Sequence, residues 1–222
     1  MILTNSLWDI PIVMDKEGPI IIIIPDINEL FLFNKMLNNQ LEATADNITL
    51  VEIDKPINFT KEVEVITNPF FITLNTRKTI NFLHKELESQ IKKSDLLFAF
   101  ERVRQDLNIL INEVRKETLL DFKHSNDYSF SQLLKLLDVA FTEREENLST
   151  FMIKYLDIIT TINKVKVLFI NLAFYLLGEN EVFEILHYCK LKNIFVIFIE
   201  KSKPITGSIF KSVLIANNCV LI

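Results

Sequence analysis

Val165-Lys166-Val167-Leu168-Phe169-Ile170-Asn171 is a near-continuous apolar run, and Ile194-Phe195-Val196-Ile197-Phe198-Ile199 is a second run of the same kind. Runs that are apolar on both faces are typical of buried strands in a parallel sheet, because helices cover both faces of such a sheet. The segment between them, beginning near Gly178, carries apolar residues at helical spacing. The stretch 164–200 therefore predicts a strand–helix–strand unit with a right-handed crossover.

A second strand–helix junction lies near the N-terminus, where the apolar run Ile20–Ile24 is followed by Pro25-Asp26-Ile27-Asn28. In a nucleotide-binding fold this junction holds the phosphate loop, but here it has no glycine and offers a carboxylate instead of donors. The predicted strand 165–170 ends on Asn171, where a nucleotide-hydrolysing enzyme of this kind places a metal-binding aspartate. Two interpretations remain: an unrelated α/β protein, or a degenerate nucleotide-binding fold that serves as a scaffold.

The numbers and positions of the glycines and histidines argue against further kinds of functional site. The chain has three glycines in 222 residues, and Gly18, Gly178 and Gly207 are far apart, which excludes a standard glycine-rich phosphate loop. The three histidines are scattered one to a segment and predict no metal or catalytic cluster. We therefore expect no bound nucleotide and no enzymatic activity.

The cysteines and the N-terminus predict a cytoplasmic protein. Cys189 and Cys219 lie in apolar sequence and resemble buried thiols, and no CxxC motif is present. The N-terminus lacks the basic start and long apolar core of a signal peptide. The apolar stretch 165–177 is too short to span a bilayer, so no membrane contact is expected.

Two long amphipathic helices are expected in the middle of the chain. Apolar residues recur at helical spacing over 80–91, and 92–95 forms a polar connector. A heptad-like stripe then follows: Leu96, Phe100, Val103, Leu107, Leu110 and Val114. This pattern predicts an antiparallel helical hairpin. The stripe has two open interpretations, packing within the domain or contact between copies in an oligomer.

Shorter segments predict the remaining elements. Strands are expected at 7–14, 20–24, 48–53, 63–74 with a break at Asn68-Pro69, 139–142 and 219–222. Helices are expected at 30–37, at 129–137 with a Ser129/Gln132 capping box, and at 148–162. The predicted fold class is α/β, with a discontinuous head domain formed by 1–74 and 129–222 and an inserted helical leg domain formed by 75–128.

Charge is unevenly distributed along this acidic chain, whose net charge is −5. Residues 1–66 carry 4 Lys/Arg against 11 Asp/Glu, residues 67–123 carry 10 against 8, and residues 124–222 carry 10 against 10. The middle third is thus relatively basic, which is a weak indication of an anionic partner.

Four segments together resemble a known family: 20–26, 80–91, 167–177 and 186–200. In their apolar patterns and order they are similar to the small accessory adaptation protein of type II-A CRISPR-Cas systems, and the likeness spans nearly the whole chain. The resemblance implies a degenerate P-loop-like head, a helical leg, and a homotetrameric ring that threads double-stranded DNA without cutting it. It also implies ring-stabilising calcium ions and a role in spacer acquisition beside the CRISPR integrase and effector nuclease.

A ring around DNA needs phosphate contacts from cations on one surface and little base readout. The candidates, as a group, lie on or beside the helical leg: Arg77, Lys78, Lys85, Lys92, Lys93, Arg102, Arg104, Arg115, Lys116 and Lys123. The alternative for any one of them is a solvated helix face. The alternative function is a catalytically dead, NTPase-like assembly module that binds protein partners.

Calcium, implied by the resemblance, would need six to eight oxygen ligands. The family is acidic between the leg and the following helix, whereas the corresponding stretch 121–127 has two carboxylates and Lys123. Asp121 and Asp127, with Glu117, would supply part of a site.

Overall fold

The computed structural model describes residues 1–14, 18–44, 47–118, 121–125, 127–144, 147–204, 210–217 and 219–221. The chain divides into two compact units. The head unit is Met1–Thr73 with Arg144–Ile222, and the leg unit is Leu74–Glu143. Residues 129–143, placed in the head by the sequence, lie in the leg unit, because the helix Phe130–Leu136 packs on the helix Arg77–Lys92.

The described strands are β1 (Ile2–Asn5), β2 (Ile12–Val13), β3 (Ile20–Ile23), β4 (Ile48–Glu52), β5 (Lys55–Pro56), β6 (Val63–Ile66), β7 (Val167–Asn171), β8 (Phe195–Glu200), β9 (Lys211–Ala216) and β10 (Cys219–Leu221). The described helices are α1 (Ile27–Leu41), α2 (Phe59–Glu62), α3 (Arg77–Lys92), α4 (Leu96–Glu117), α5 (Phe130–Leu136), α6 (Leu148–Ile162), α7 (Ala173–Leu176) and α8 (Glu179–Leu191), with a 3₁₀ helix at Pro69–Phe71. The predicted mixed α/β fold and the β7–α8–β8 unit are confirmed.

The head unit contains two sheets. Six strands form the larger one in the order β10-β9-β3-β8-β7-β6, in which only β10 runs antiparallel to its neighbour. The smaller sheet has the order β2-β1-β4-β5 and is antiparallel. At the outer edge of the larger sheet, the Asp9 carboxylate accepts a hydrogen bond of 2.9 Å from the Val220 N–H.

Burial follows the alternation of side chains along β3. Ile20 and Ile22 pack with α1 and the smaller sheet, whereas Ile21 and Ile23 pack with α6 and α8. Because both faces are covered, a strand of four consecutive isoleucines is stable without any polar position. Such a sheet fixes the carboxyl ends of β3, β7 and β8 in space, which is where α/β proteins place their functional groups.

Two predicted strands and one thiol are corrected. Residues 139–142 form no strand, because side chains satisfy their backbone: Asn75 bonds both the N–H and the carbonyl of Phe141, and His84 Nε2 lies 2.8 Å from the Val139 carbonyl. The predicted strand 63–74 ends at Ile66, just before the expected break at Asn68-Pro69, and the part predicted beyond that break is not a strand, since Asn68 caps the 3₁₀ helix through the Phe70 N–H. Cys189 is buried as predicted, but Cys219, on an edge strand, is exposed.

In the leg unit, α3 and α4 are joined by residues 93–95, as the two apolar stripes predict. Along the heptad stripe of α4, Phe100 is buried, whereas Leu96 and Leu110 are 61% and 58% exposed. Packing within the domain therefore accounts for Phe100 and leaves most of the stripe in solvent. Among the described residues, no helix combines the length and apolarity needed to cross a membrane.

Candidate functional site

The junction between β3 and α1 is occupied by the chain's own carboxylate. Asp26 caps α1, and its Oδ1 accepts hydrogen bonds from the N–H groups of Asn28 (2.8 Å) and Glu29 (3.0 Å). These are the amides that a phosphate would need at a helix N-terminus. A phosphate here would have to displace the Asp26 carboxylate and would be repelled by its charge.

The carboxyl end of β7 carries a side-chain amide whose NH₂ group is bonded within the protein. Asn171 is 4% exposed, and its Nδ2 donates to Asn34 Oδ1 on α1 at 2.6 Å. Its Oδ1 has no hydrogen-bond partner among the described residues. A neutral amide oxygen cannot balance the charge of a divalent ion as a carboxylate does, so this strand end lacks the group that would hold magnesium.

Replacing Asp26 tests its structural role. Asp26→Ala should lower the free energy of unfolding by about 1 kcal/mol, because two α1 amides lose their cap, whereas Asp26→Asn should retain most of that stability. Urea titrations of the two variants and the wild type measure the difference. Equal loss in both variants would mean that the carboxylate charge, and not the cap, is what matters.

Glu200 ends β8 and is a buried acid that the sequence did not single out. It is 4% exposed, and its Oε1 accepts the N–H of Phe174 at 3.0 Å. Burial raises the pKa of Glu200 to about 7, against the opposing effect of hydrogen bonds from the backbone of Phe174 and Ala173. The available signal was a carboxylate that directly follows the apolar run 194–199.

Four of the ten leg cations are paired with nearby carboxylates. Arg104 bonds Glu101 (2.6 Å) and Asp127 (2.9 Å), and Arg115 bonds Asp121 (2.9 Å). The other two pairs are Lys116–Glu113 at 2.7 Å and Lys92–Glu88 at 3.0 Å. Most of the charge that these four residues would bring to DNA is therefore compensated within the leg unit.

Most of the remaining leg cations have no carboxylate partner among the described residues. No ion pair within 4 Å of a described carboxylate is formed by Arg77, Lys85, Lys93, Arg102 or Lys123. Lys78 takes part in a further interaction. Lys78, Lys85 and Lys92 follow one another at seven-residue spacing, so they lie on one face of α3. The whole leg unit holds 11 Lys/Arg and 11 Asp/Glu, so any DNA surface on it is a local face and not the unit as a whole.

Comparison with protein families shows which family the chain belongs to. The family model for CRISPR-associated protein (Cas_Csn2) matches residues 40–217, a span that includes the leg unit and most of the head unit. The chain belongs to the CRISPR-associated Csn2 family. Membership of the Csn2 family implies a role in CRISPR adaptation, as the resemblance predicted. No curated protein matches the chain significantly.

The candidate calcium ligands of this Csn2 chain are not brought together. Asp121 and Asp127 bind Arg115 and Arg104, whose Cα atoms are about 16 Å apart along α4, at 1.5 Å per residue. Both carboxylates are thereby neutralised by a guanidinium, and Glu117 lies in the last turn of α4. Over the described ranges, no three His, Cys, Asp or Glu side chains are placed to share a metal ion. These residues do not fit a calcium site in this arrangement.

The head unit contains a basic groove that was not predicted from the sequence. At the amino ends of β3, β7 and β8 lies a cavity of about 1090 Å³ whose lining includes Lys164, Lys166, Lys190 and Lys192. Lys166 is paired with Glu62 at 2.7 Å and Lys192 with Asp157 at 2.9 Å. The four lysines come from two chain segments that the parallel pairing of β7 and β8 brings together, so their proximity depends on strand register, which composition alone does not reveal.

Proposed function

We propose that this Csn2-family protein binds the ends of double-stranded DNA, without sequence preference and without catalysis, as an oligomeric ring during CRISPR spacer acquisition. The non-enzymatic part of the proposal rests on one observation: the polar side chains that follow β3 and end β7 form hydrogen bonds within the protein. Asp26 takes the amides that would hold a phosphate, and Asn171 is bonded to Asn34. Because both side chains make hydrogen bonds within the protein, the fold serves as a scaffold in this proposal, and the integrase and effector nuclease supply the chemistry.

The DNA contact in this proposal is electrostatic. The less compensated cations of the leg, such as Lys85 and Arg102, contact phosphates, and a duplex end enters the ring and slides along it. Each phosphate neutralised by a lysine or arginine releases counterions, so affinity falls steeply as salt rises.

The exposed stripe of α4 supports the oligomer. Apolar residues repeated along one face are stabilised when a second helix covers them, and Leu96, Val103, Leu110 and Val114 are each at least 44% exposed. In the proposed ring, this face is covered by another copy, and the assembly is a homotetramer.

A comparison of linear with circular DNA tests whether binding requires a free duplex end. A linear duplex should bind at least about tenfold more tightly than a covalently closed circle of the same sequence, a difference of about 1.4 kcal/mol, because a circle has no end to enter. Filter binding over a range of salt concentrations measures this. Cutting the circle once should restore binding, and equal affinity for circle and linear DNA contradicts threading.

A matched pair of double variants locates the contact. Lys85→Ala/Arg102→Ala should reduce the slope of log affinity against log salt by up to about 2, because each lost phosphate contact removes about 0.9. Lys35→Ala/Lys61→Ala removes the same charge from exposed head positions and should leave the slope unchanged. Identical slopes in both variants would show that Lys85 and Arg102 do not contact the DNA phosphates.

The alternative, a catalytically dead assembly module for protein partners, is favoured by the balanced charge of the leg unit together with its exposed apolar stripe. Light scattering separates the two functions. A tetramer that neither binds nor responds to linear DNA supports the assembly module.

A further inference from the structure

A second cavity lies at the opposite end of the larger sheet. It has a volume of about 590 Å³ and opens beside the carboxyl ends of β3 and β8. Ile23 and Leu214 contribute to its apolar wall, and they face each other in the parallel pairing of β3 with β9. Its volume lies within the roughly 300–1,000 Å³ range of small-molecule sites, and its position is where ligands bind in open α/β sheets.

The polar part of this lining is cationic. Among the described residues it consists of Lys201, Ser202, Lys203 and Ser212, with no carboxylate side chain. Lys201 and Lys203 form no ion pair within 4 Å among the described residues. The neighbouring Glu200 carboxyl is buried and accepts the Phe174 N–H. Two lysines that have no ion pair among the described residues line this cavity together with two serines, a combination that suits an anion, in a head unit whose net charge is −5.

We propose that this cavity binds a phosphate monoester whose sugar or base rests on the apolar wall. A monoester carries about two negative charges near neutral pH and three acceptor oxygens, which match two ammonium groups and two hydroxyls. The phosphate comes either from a free mononucleotide or from the 5′-phosphorylated end of a DNA strand. Only the second source rests on the proposed DNA function.

The cavity is lined by no described residue of α1, the helix whose N-terminus usually binds phosphate in nucleotide-binding folds. On the α1 side of β3, Asp26 fills the amides. The segment after β8 begins with Lys201-Ser202-Lys203, and it reaches the cavity because β8 and β9 both flank β3. The phosphate is thus held by side chains and not by backbone amides, which needs no glycine.

Calorimetric titration with deoxyadenosine 5′-monophosphate and with deoxyadenosine tests the site. The monophosphate should bind about tenfold more tightly or better, because its phosphate adds charged hydrogen bonds that deoxyadenosine cannot make. Lys201→Met/Lys203→Met should abolish that preference, and Lys35→Met/Lys61→Met should retain it. Equal binding of the two probes by the wild type, or an unchanged preference in Lys201→Met/Lys203→Met, overturns the proposal.

Blunt duplexes with 5′-phosphate or 5′-hydroxyl ends identify the source. If the phosphorylated duplex binds more tightly and Lys201→Met/Lys203→Met removes the difference, the ligand is a DNA end. If the duplexes do not differ while the mononucleotide still binds, the ligand is a free nucleotide. If no duplex binds but the mononucleotide does, the site stands and the DNA function fails.

Discussion

Glu200→Gln is expected to remove the pH dependence of stability that Glu200 should give the wild-type protein between about pH 4.5 and pH 7. Burial raises the pKa of Glu200 from 4.5 to about 7. Over this interval the folded protein keeps a proton that the unfolded chain has released, so the wild type loses stability as pH rises. The loss amounts to roughly 3 kcal/mol, at 1.36 kcal/mol for each unit of pKa difference.

Glutamine keeps an acceptor oxygen for the Phe174 N–H but does not titrate. The free energy of unfolding of Glu200→Gln minus that of the wild type should therefore increase from pH 4.5 to pH 8, as measured by urea titrations across that range. Glu179→Gln, at an exposed position on α8, serves as the control and should follow the wild type. Parallel pH profiles for Glu200→Gln and the wild type would show that Glu200 is charged in the folded state.

Phe100→Ala is expected to open the leg unit. Phe100 is 9% exposed and makes edge-to-face contacts with Tyr128 (6.4 Å between centroids) and Phe130 (5.3 Å). Removing a buried phenyl ring costs about 3–5 kcal/mol, and these contacts join α4 to the start of α5. Amides of α4 and α5 should therefore exchange with solvent deuterium much faster than in the wild type.

Phe98→Ala is the matched control, because Phe98 lies two residues away and is 78% exposed. Its exchange pattern should stay close to that of the wild type. Amides of β7 and β8 should be unchanged in Phe100→Ala if the leg unit opens by itself. Equal acceleration in the leg and in β7 and β8 would show that the two units unfold as one.

The head sheet was predictable because its decisive strands are apolar on both faces. No other element accommodates a run such as 194–199 as well as a buried parallel strand does. Prediction was wrong where side chains replace a neighbouring strand. Asn75 satisfies the backbone of Phe141 from 66 residues away, and no local pattern around Phe141 indicates that.

The candidate site was less predictable for the same reason. Sequence identifies cations on the leg helices, but it does not show that Arg104 is paired with Asp127, 23 residues further along the chain. Lys201 and Lys203 follow an apolar strand like many other surface lysines. Their proximity to Ser212 arises only because β3 lies between β8 and β9.

Asp9 at the rim of the larger sheet has a consequence for aggregation. Exposed edge strands act as templates for pairing with another chain, and natural proteins block them with charged groups. The Asp9 carboxylate takes the outward N–H of Val220 on the edge strand β10, so an incoming strand would find that donor used and a negative charge beside it. Growth of this sheet from molecule to molecule into a fibril is thereby disfavoured, even though Leu221 presents an apolar side chain on the same strand.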